Sequence, residues 1–249
     1  MKKIIKPLVP KAAWQALSSI RQQWFTRYAR ESYSQEGEDL ILEAYFYKKS
    51  SGFYVDVGAH HPKRYSNTYR LYLRGWRGLN IDATPGSMRM FRRLRPRDIN
   101  VEAAVSSVSK ELTYYIFNEP ALNTFDKQLA LKRAAEKPFF IKQEVRIVPV
   151  PLWKLLDQYM PPNVAIDLLT IDVEGLDYDV LQSNDWDRYS PEYILVECLD
   201  TLAFDSDSSN PIRQFLSDRC YEPSAKTKNT MLFMRSRPKI ETGDIASSL

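Results

Sequence analysis

The stretch Gly52 to Thr84, GFYVDVGAHHPKRYSNTYRLYLRGWRGLNIDAT, decides how the rest of the chain is read. A short apolar run, Phe53 to Val57, carries one acid, Asp56, and meets Gly58. A helical segment follows through Tyr69, Leu71 and Leu73, and a second apolar run, Leu79 to Ile81, ends in Asp82. Strand, glycine turn, helix, strand, acid is the pattern of a nucleotide-binding βαβ unit. The glycine lets backbone approach a ligand, and the terminal acid accepts both hydrogen bonds of a ribose diol. His60 and His61 stand in the glycine turn and are the only histidines in the chain. Imidazole titrates nearest neutrality, so any imidazole base must come from this pair. The side chains of adjacent turn residues diverge and no third histidine can join them, which disfavours a metal site.

Outward from this unit, Tyr33 to Asp39 (YSQEGED) precedes an apolar run from Leu40 to Phe46. Ser34 is the expected helix cap, with the acids at the positive helix end. The position just before the first strand lets Ser34 and Gln35 reach a ligand at that strand's carboxyl end. Ser66 or Asn67 caps the next helix. After Asp82, Pro85 to Ser87 opens a helix whose Arg92, Arg93, Arg95 and Arg97 read as a solvated face. Ile99 to Val105 is a third strand running into a small-residue turn that leaves room for a flat ring.

Leu112 to Phe117 alternates as an edge strand or hairpin arm, and a polar loop, Asn118 to Phe125, follows. Asp126 to Glu144 reads as a helix broken at Pro138, a lid or substrate-facing insertion. Arg146 to Val150 reads as an edge strand because Pro149 has no N–H for a central ladder. Ile166 to Gly175 (IDLLTIDVEG) is a run suited to a strand buried on both faces. It delivers Asp172 and Glu174 to the carboxyl edge, where open α/β sheets bind ligands. Tyr193 to Cys198 is another buried strand ending near an acid, and Tyr221 to Ala225 pairs with Thr230 to Met234.

The 249 residues suit one α/β domain with appendages. No run approaches the roughly 20 apolar residues of a membrane span. Much of the net charge of +4 sits in residues 1–30, which hold seven Lys and Arg and no acid. The remainder is near neutral, which argues against a nucleic-acid-coating surface. Trp14, Leu17, Ile20, Trp24 and Phe25 share one helical face of this arm, which suits peripheral contact with an anionic membrane. The expected division is an arm at 1–30, a catalytic domain at 31–235 and a mobile tail at 236–249. Two cysteines, Cys198 and Cys220, supply neither a disulfide framework nor a four-ligand zinc site, and a cytoplasmic location fits.

Five segments in this order, Tyr33 to Asp39, Val55 to Ala59 (VDVGA), Ile81-Asp82, Asn118 to Thr124 (NEPALNT) and Ile171 to Gly175 (IDVEG), resemble the FkbM family of S-adenosylmethionine-dependent methyltransferases. The resemblance runs from about Ser32 to Met234. It implies a Rossmann-like class I fold: a mostly parallel seven-stranded sheet with an antiparallel last strand and helices on both faces. It implies S-adenosylmethionine as cofactor, with Asp56 and Gly58 in the first motif, Asp82 on the ribose, and Glu102 and Ala103 about the adenine. Asp172 and Glu174 match the acidic motif beside the methyl group. His60, His61 and Pro62 stand where the commonest first motif continues with another glycine.

The resemblance leads to O-methylation of a hydroxyl on a surface glycan or lipid-linked sugar. The hydroxyl must lose its proton, and the preferred bases are Glu174 and His61, with Asp172 orienting cofactor or substrate. A nicotinamide oxidoreductase is disfavoured because the turn lacks the further glycines that seat a pyrophosphate. A catalytically silent scaffold in a membrane-associated complex is the reading from another class. The acceptor, the metal dependence and the oligomeric state stay open at this point.

Overall fold

The computed structural model of the protein describes residues 29–198 and 210–236. The chain forms two compact units, Met1–Ser32 and Tyr33–Leu249, and every element below belongs to the second. The expected helix in the arm and the expected tail lie almost entirely outside the described residues. No helix among the described residues is long and apolar enough to cross a membrane.

The central sheet is built from β1 (Phe53–Val57), β2 (Arg77–Asp82), β3 (Ile99–Glu102), β6 (Leu168–Ile171), β7 (Tyr193–Glu197), β8 (Tyr221–Lys226) and β9 (Thr230–Arg235). Their order across the sheet is β3-β2-β1-β6-β7-β9-β8. All neighbours are parallel from β3 to β7, while β9 runs antiparallel to both β7 and β8. This is the Rossmann-like class I methyltransferase arrangement. The order reverses between β1 and β6, and such a reversal leaves a crevice beyond the carboxyl ends of the strands.

Alternation within the strands explains why apolar residues occupy both faces of the sheet. Val55 and Val57, Leu169 and Ile171, Ile194 and Val196, and Met231 and Phe233 form one core. It packs on α5 (Leu152–Tyr159), α6 (Asp177–Gln182) and α7 (Pro211–Ser217) through Leu155, Leu156, Val180, Leu181 and Leu216. On the other face, Tyr54, Leu168, Leu195 and Leu232 join Leu42 of α1 (Glu38–Tyr45), Phe46 just beyond it, Leu71 of α2 (Tyr69–Leu73) and Trp76. A period-two strand covered on both faces carries apolar residues on both alternating sets, broken here where a polar group is bonded, as at Asp56 and Asn80.

Beyond α3 (Met88–Leu94) and β3, the chain leaves the sheet. β4 (Leu112–Phe117) and β5 (Ile141–Ile147) pair antiparallel as a separate ribbon, with a 3-10 turn at Pro120–Leu122 and α4 (Lys127–Ala135) between them. The expected strand at Arg146 to Val150 therefore starts earlier, at Ile141. Val145, Arg146 and Ile147 alternate half-buried and exposed, while Lys142 to Glu144 are all exposed, so the strand is recognised by its pairing with β4 rather than by its sequence period. Pro149 lies past the strand end, where its missing N–H costs nothing.

Two further local expectations change. The cap of α1 is Gly37, in the left-handed region at φ 89°. Ser34 instead works from outside, its Oγ accepting the Asp39 N–H at 3.2 Å and donating to Asp39 Oδ1 at 2.9 Å. Arg95 is not on a solvated face. It is fully buried, with Nε donating to Asp98 at 2.8 Å and Nη2 donating to Tyr54 Oη at 2.6 Å and Thr68 Oγ1 at 3.0 Å. Asp98 also accepts from Gly78 N–H and Asn80 Nδ2, each at 3.0 Å, so the buried charges are bonded on several sides.

Candidate active site

The register places Val57 level with Ile81 on one side and Ile171 on the other, so Gly58, Asp82 and Asp172 leave the sheet together. Gly58 has φ 84°, and a β-carbon there would sit 1.8 Å from the Asp172 carbonyl oxygen. No other residue fits, because the turns after β1 and β6 touch through bare backbone. Gly58 and Ala59 both donate their N–H to the Ile81 carbonyl, at 2.9 and 3.0 Å. Asp82 ties the turns together, Oδ2 accepting from His60 N–H at 2.9 Å and Oδ1 from Thr84 N–H at 2.8 Å. Each carboxylate oxygen keeps a second acceptor site.

These turns line a cleft between the carboxyl ends of the strands and the insertion. Gln35, Gly58, Asp82, Ala103, Asp172 and Glu174, all expected from the sequence, line it, and His60 does too. Four other expected residues do not. Ser34 is bonded to Asp39 as described. Asp56 lies beneath the turn, where Thr68 Oγ1 donates to its Oδ2 at 2.6 Å. Glu102 is exposed and accepts the Gly86 N–H at 2.7 Å. His61 faces a neighbouring groove, its Nδ1 accepting from Lys63 and Arg64 N–H at 3.0 and 2.9 Å.

The ribbon insertion supplies the opposite wall with Tyr114, Pro120, Asn123 and Phe125. Tyr114 and Phe125 pack at a ring-centroid distance of 4.4 Å. Asn123 Nδ2 donates to Thr84 Oγ1 at 3.2 Å, joining the insertion to the turn after β2. Thr124 Oγ1 donates to the Glu174 carbonyl at 2.7 Å, and Arg133 of α4 forms an ion pair with the Glu174 carboxylate. Glu174 itself has φ 56°, an uncommon conformation for a non-glycine residue. Sequence reasoning missed Tyr114, Asn123, Phe125 and Arg133. The polar loop was recognised, but nothing in it told which strand ends it would meet.

The floor beneath the acids is electrostatically unusual. Burial, reinforced by the carboxylates of Glu197, Glu174, Asp177 and Asp56, holds the Asp172 carboxyl well above the usual range. Burial, with Glu174 and Asp177 nearby, pushes Glu197 up to about 8, and its Oε2 is shielded without a hydrogen-bond partner. Burial also raises Asp56 to about 6 against the pull of Arg95 and Thr68. His60 moves the other way: burial lowers its pKa against the opposing charge of Asp82, which favours the neutral ring. Its Nε2 is shielded and unpartnered. Among the described residues, no three His, Cys, Asp or Glu side chains group so as to hold a metal ion.

A glycine turn in contact with the next strand end, an acid closing the second strand and a cleft at the switch point fit S-adenosylmethionine. Together they define a class I S-adenosylmethionine-dependent methyltransferase. The Methyltransferase FkbM domain matches residues 56–223, and the chain belongs to that family. No curated protein matches it. Similar solved structures include a TehB-like SAM-dependent methyltransferase from Corynebacterium glutamicum, 10% identical with a TM-score of 0.42 over 91% of this chain and 100% of the other. An O-methyltransferase from Bacillus cereus in complex with SAH is 11% identical with a TM-score of 0.42, covering 91% of this chain and 93% of the other. The 1,6-didemethyltoxoflavin-N1-methyltransferase of Burkholderia thailandensis is 12% identical with a TM-score of 0.40 over 94% of each chain.

Proposed function

We propose that the enzyme methylates a hydroxyl of a sugar, in a surface glycan or a lipid-linked saccharide. The observation that carries this reading is that His60, with its lowered pKa, lines one cleft together with the carboxyl groups of Asp172 and Glu174. A hydroxyl must lose its proton as its oxygen bonds to carbon, so an O-methyltransferase gains from a placed base. When bound, S-adenosylmethionine supplies a methyl group on a positively charged sulfur. Asp82 takes the ribose hydroxyls, Gln35 and Ala103 line the same cleft, and Gly58 keeps the turn clear of side chain. Asp56, through Thr68, and Glu102, through Gly86, hold the surrounding backbone.

The proton goes to His60, whose ring is neutral near pH 7 and whose Nε2 has no protein partner. His60 takes the role first assigned to His61, because His61 does not line the cleft. Arg133 holds the carboxylate of Glu174, which then orients the acceptor, while Asp172 faces the developing charge. Orientation of this kind lowers the barrier by several kcal/mol. The basic residues at 1–30 bring a cytoplasmic enzyme to an anionic membrane surface. Mass spectrometry of surface glycans from cells with and without the protein tests the reading. Identical methylation in both, together with no transfer to extracted glycans by the purified enzyme, would sink it.

A further inference from the structure

A second concavity lies beside the cleft and shares His60, Thr84 and Pro120 with it. Its lining includes His61, Arg64, Ser87, Arg89 and Arg93, and no acidic side chain among the described residues. Arg89 and Arg93 are exposed and stand one turn apart on α3, so they share a face. Neither guanidinium has a hydrogen bond or ion pair among the described residues, although the Arg89 backbone N–H donates to the Gly86 carbonyl at 3.3 Å. Arg64 is held by Glu119 at 3.1 Å. Because His61 Nδ1 accepts two backbone N–H groups, the neutral ring carries its proton on Nε2, leaving a donor. The Ser87 hydroxyl is shielded and has no partner.

Two unpaired guanidiniums with a third beside them exceed what a single carboxylate needs. They match the charge and the many acceptor oxygens of a phosphate ester. We propose that this groove binds a phosphate or diphosphate group carried by the methyl acceptor, whose hydroxyl reaches the cleft past His60 and Thr84. The proposal rests on the methyl-transfer reading above and names the acceptor's chemical class. The lowered pKa of His61, caused by burial and then by His60, Arg64 and Lys63, agrees with a positive local field.

The test is calorimetric titration of the full chain, saturated with S-adenosylhomocysteine, using inorganic pyrophosphate as probe. Pyrophosphate should bind at one site. The double variant Arg89→Gln/Arg93→Gln should weaken binding by roughly tenfold or more, while Arg92→Gln, exposed on the same helix but outside the groove, should change it less than about twofold. Absence of binding, equal weakening by Arg92→Gln, or displacement of S-adenosylhomocysteine by pyrophosphate each overturns the proposal. Separate arms with a nucleoside-diphosphate sugar and a polyprenyl-diphosphate sugar identify the carrier; heat from either supports the proposal and heat from neither overturns it. Titration with S-adenosylmethionine alone reads the methyltransferase assignment independently, so failure of one is not mistaken for failure of the other.

Discussion

At the scale of single residues, Gly58, Arg95 and His60 carry separable roles. Gly58→Ala brings a β-carbon against the Asp172 carbonyl in a left-handed conformation, and should cost at least about 2 kcal/mol. Urea unfolding and an S-adenosylmethionine titration should both register the damage; unchanged values in both would mean the two turns can part freely. Arg95→Ala strands the buried carboxylate of Asp98, and should cost about 3–5 kcal/mol. A loss near zero on urea unfolding would return Arg95 to the solvated face that its neighbours Arg92 and Arg93 do occupy. For His60, the sign follows from its lowered pKa: the base form persists to lower pH than for a free imidazole. The acid limb of kcat/KM against pH should therefore lie at lower pH than a free imidazole would give and vanish in His60→Ala, with His61→Ala leaving it in place. Gly58 was legible in the sequence because a glycine after an apolar run has few other reasons to be there. Arg95 was not, since an arginine among arginines looks solvated until Tyr54, Thr68 and Asp98 are seen around it.

At the scale of elements, the ribbon of β4 and β5 with α4 between them is clamped to the end of β6 by two contacts. One is Arg133 on the Glu174 carboxylate, the other Thr124 on the Glu174 carbonyl. Arg133→Ala should release this end of the insertion and lower kcat/KM roughly ten- to a hundredfold through lost positioning. Cofactor affinity should stay nearly constant and Arg133→Lys should recover part of the loss. If the alanine variant is as active as the parent, the ion pair is ornamental and Glu174 needs no orienting. The central strands were readable because burial on both faces forces continuous apolar runs. The insertion was harder, because β5 is half-exposed and its polar run Lys142, Gln143 and Glu144 disguises its period. Its contact with Glu174 joins residues 41 positions apart in the chain, and no local pattern encodes that distance.

At the scale of the whole molecule, the switch point gathers acids from several elements into one floor, and this makes stability depend on pH. Glu197 keeps its proton to about pH 8 in the folded state but ionises near 4.3 when unfolded. Between those values the folded chain binds more protons, so stability falls as pH rises, and this contribution is fully present only below the unfolded pKa. Glu197→Gln should reduce the loss of unfolding free energy between pH 6 and 8, as read from urea titrations at the two values. An unchanged slope would remove Glu197 from the account. The switch point itself was legible, since strand-ending acids at Asp82 and Asp172 mark one sheet edge, whereas their mutual repulsion depends on distances across the sheet. The same floor would give the enzyme a means of telling its reactant from its spent product. If the sulfonium of S-adenosylmethionine comes to rest near Asp172, its charge would favour loss of protons from the raised carboxyl groups below, which an uncharged thioether would not do. Uptake of S-adenosylmethionine should release protons into the buffer where S-adenosylhomocysteine releases none, so alkaline conditions would favour exchange of old cofactor for new.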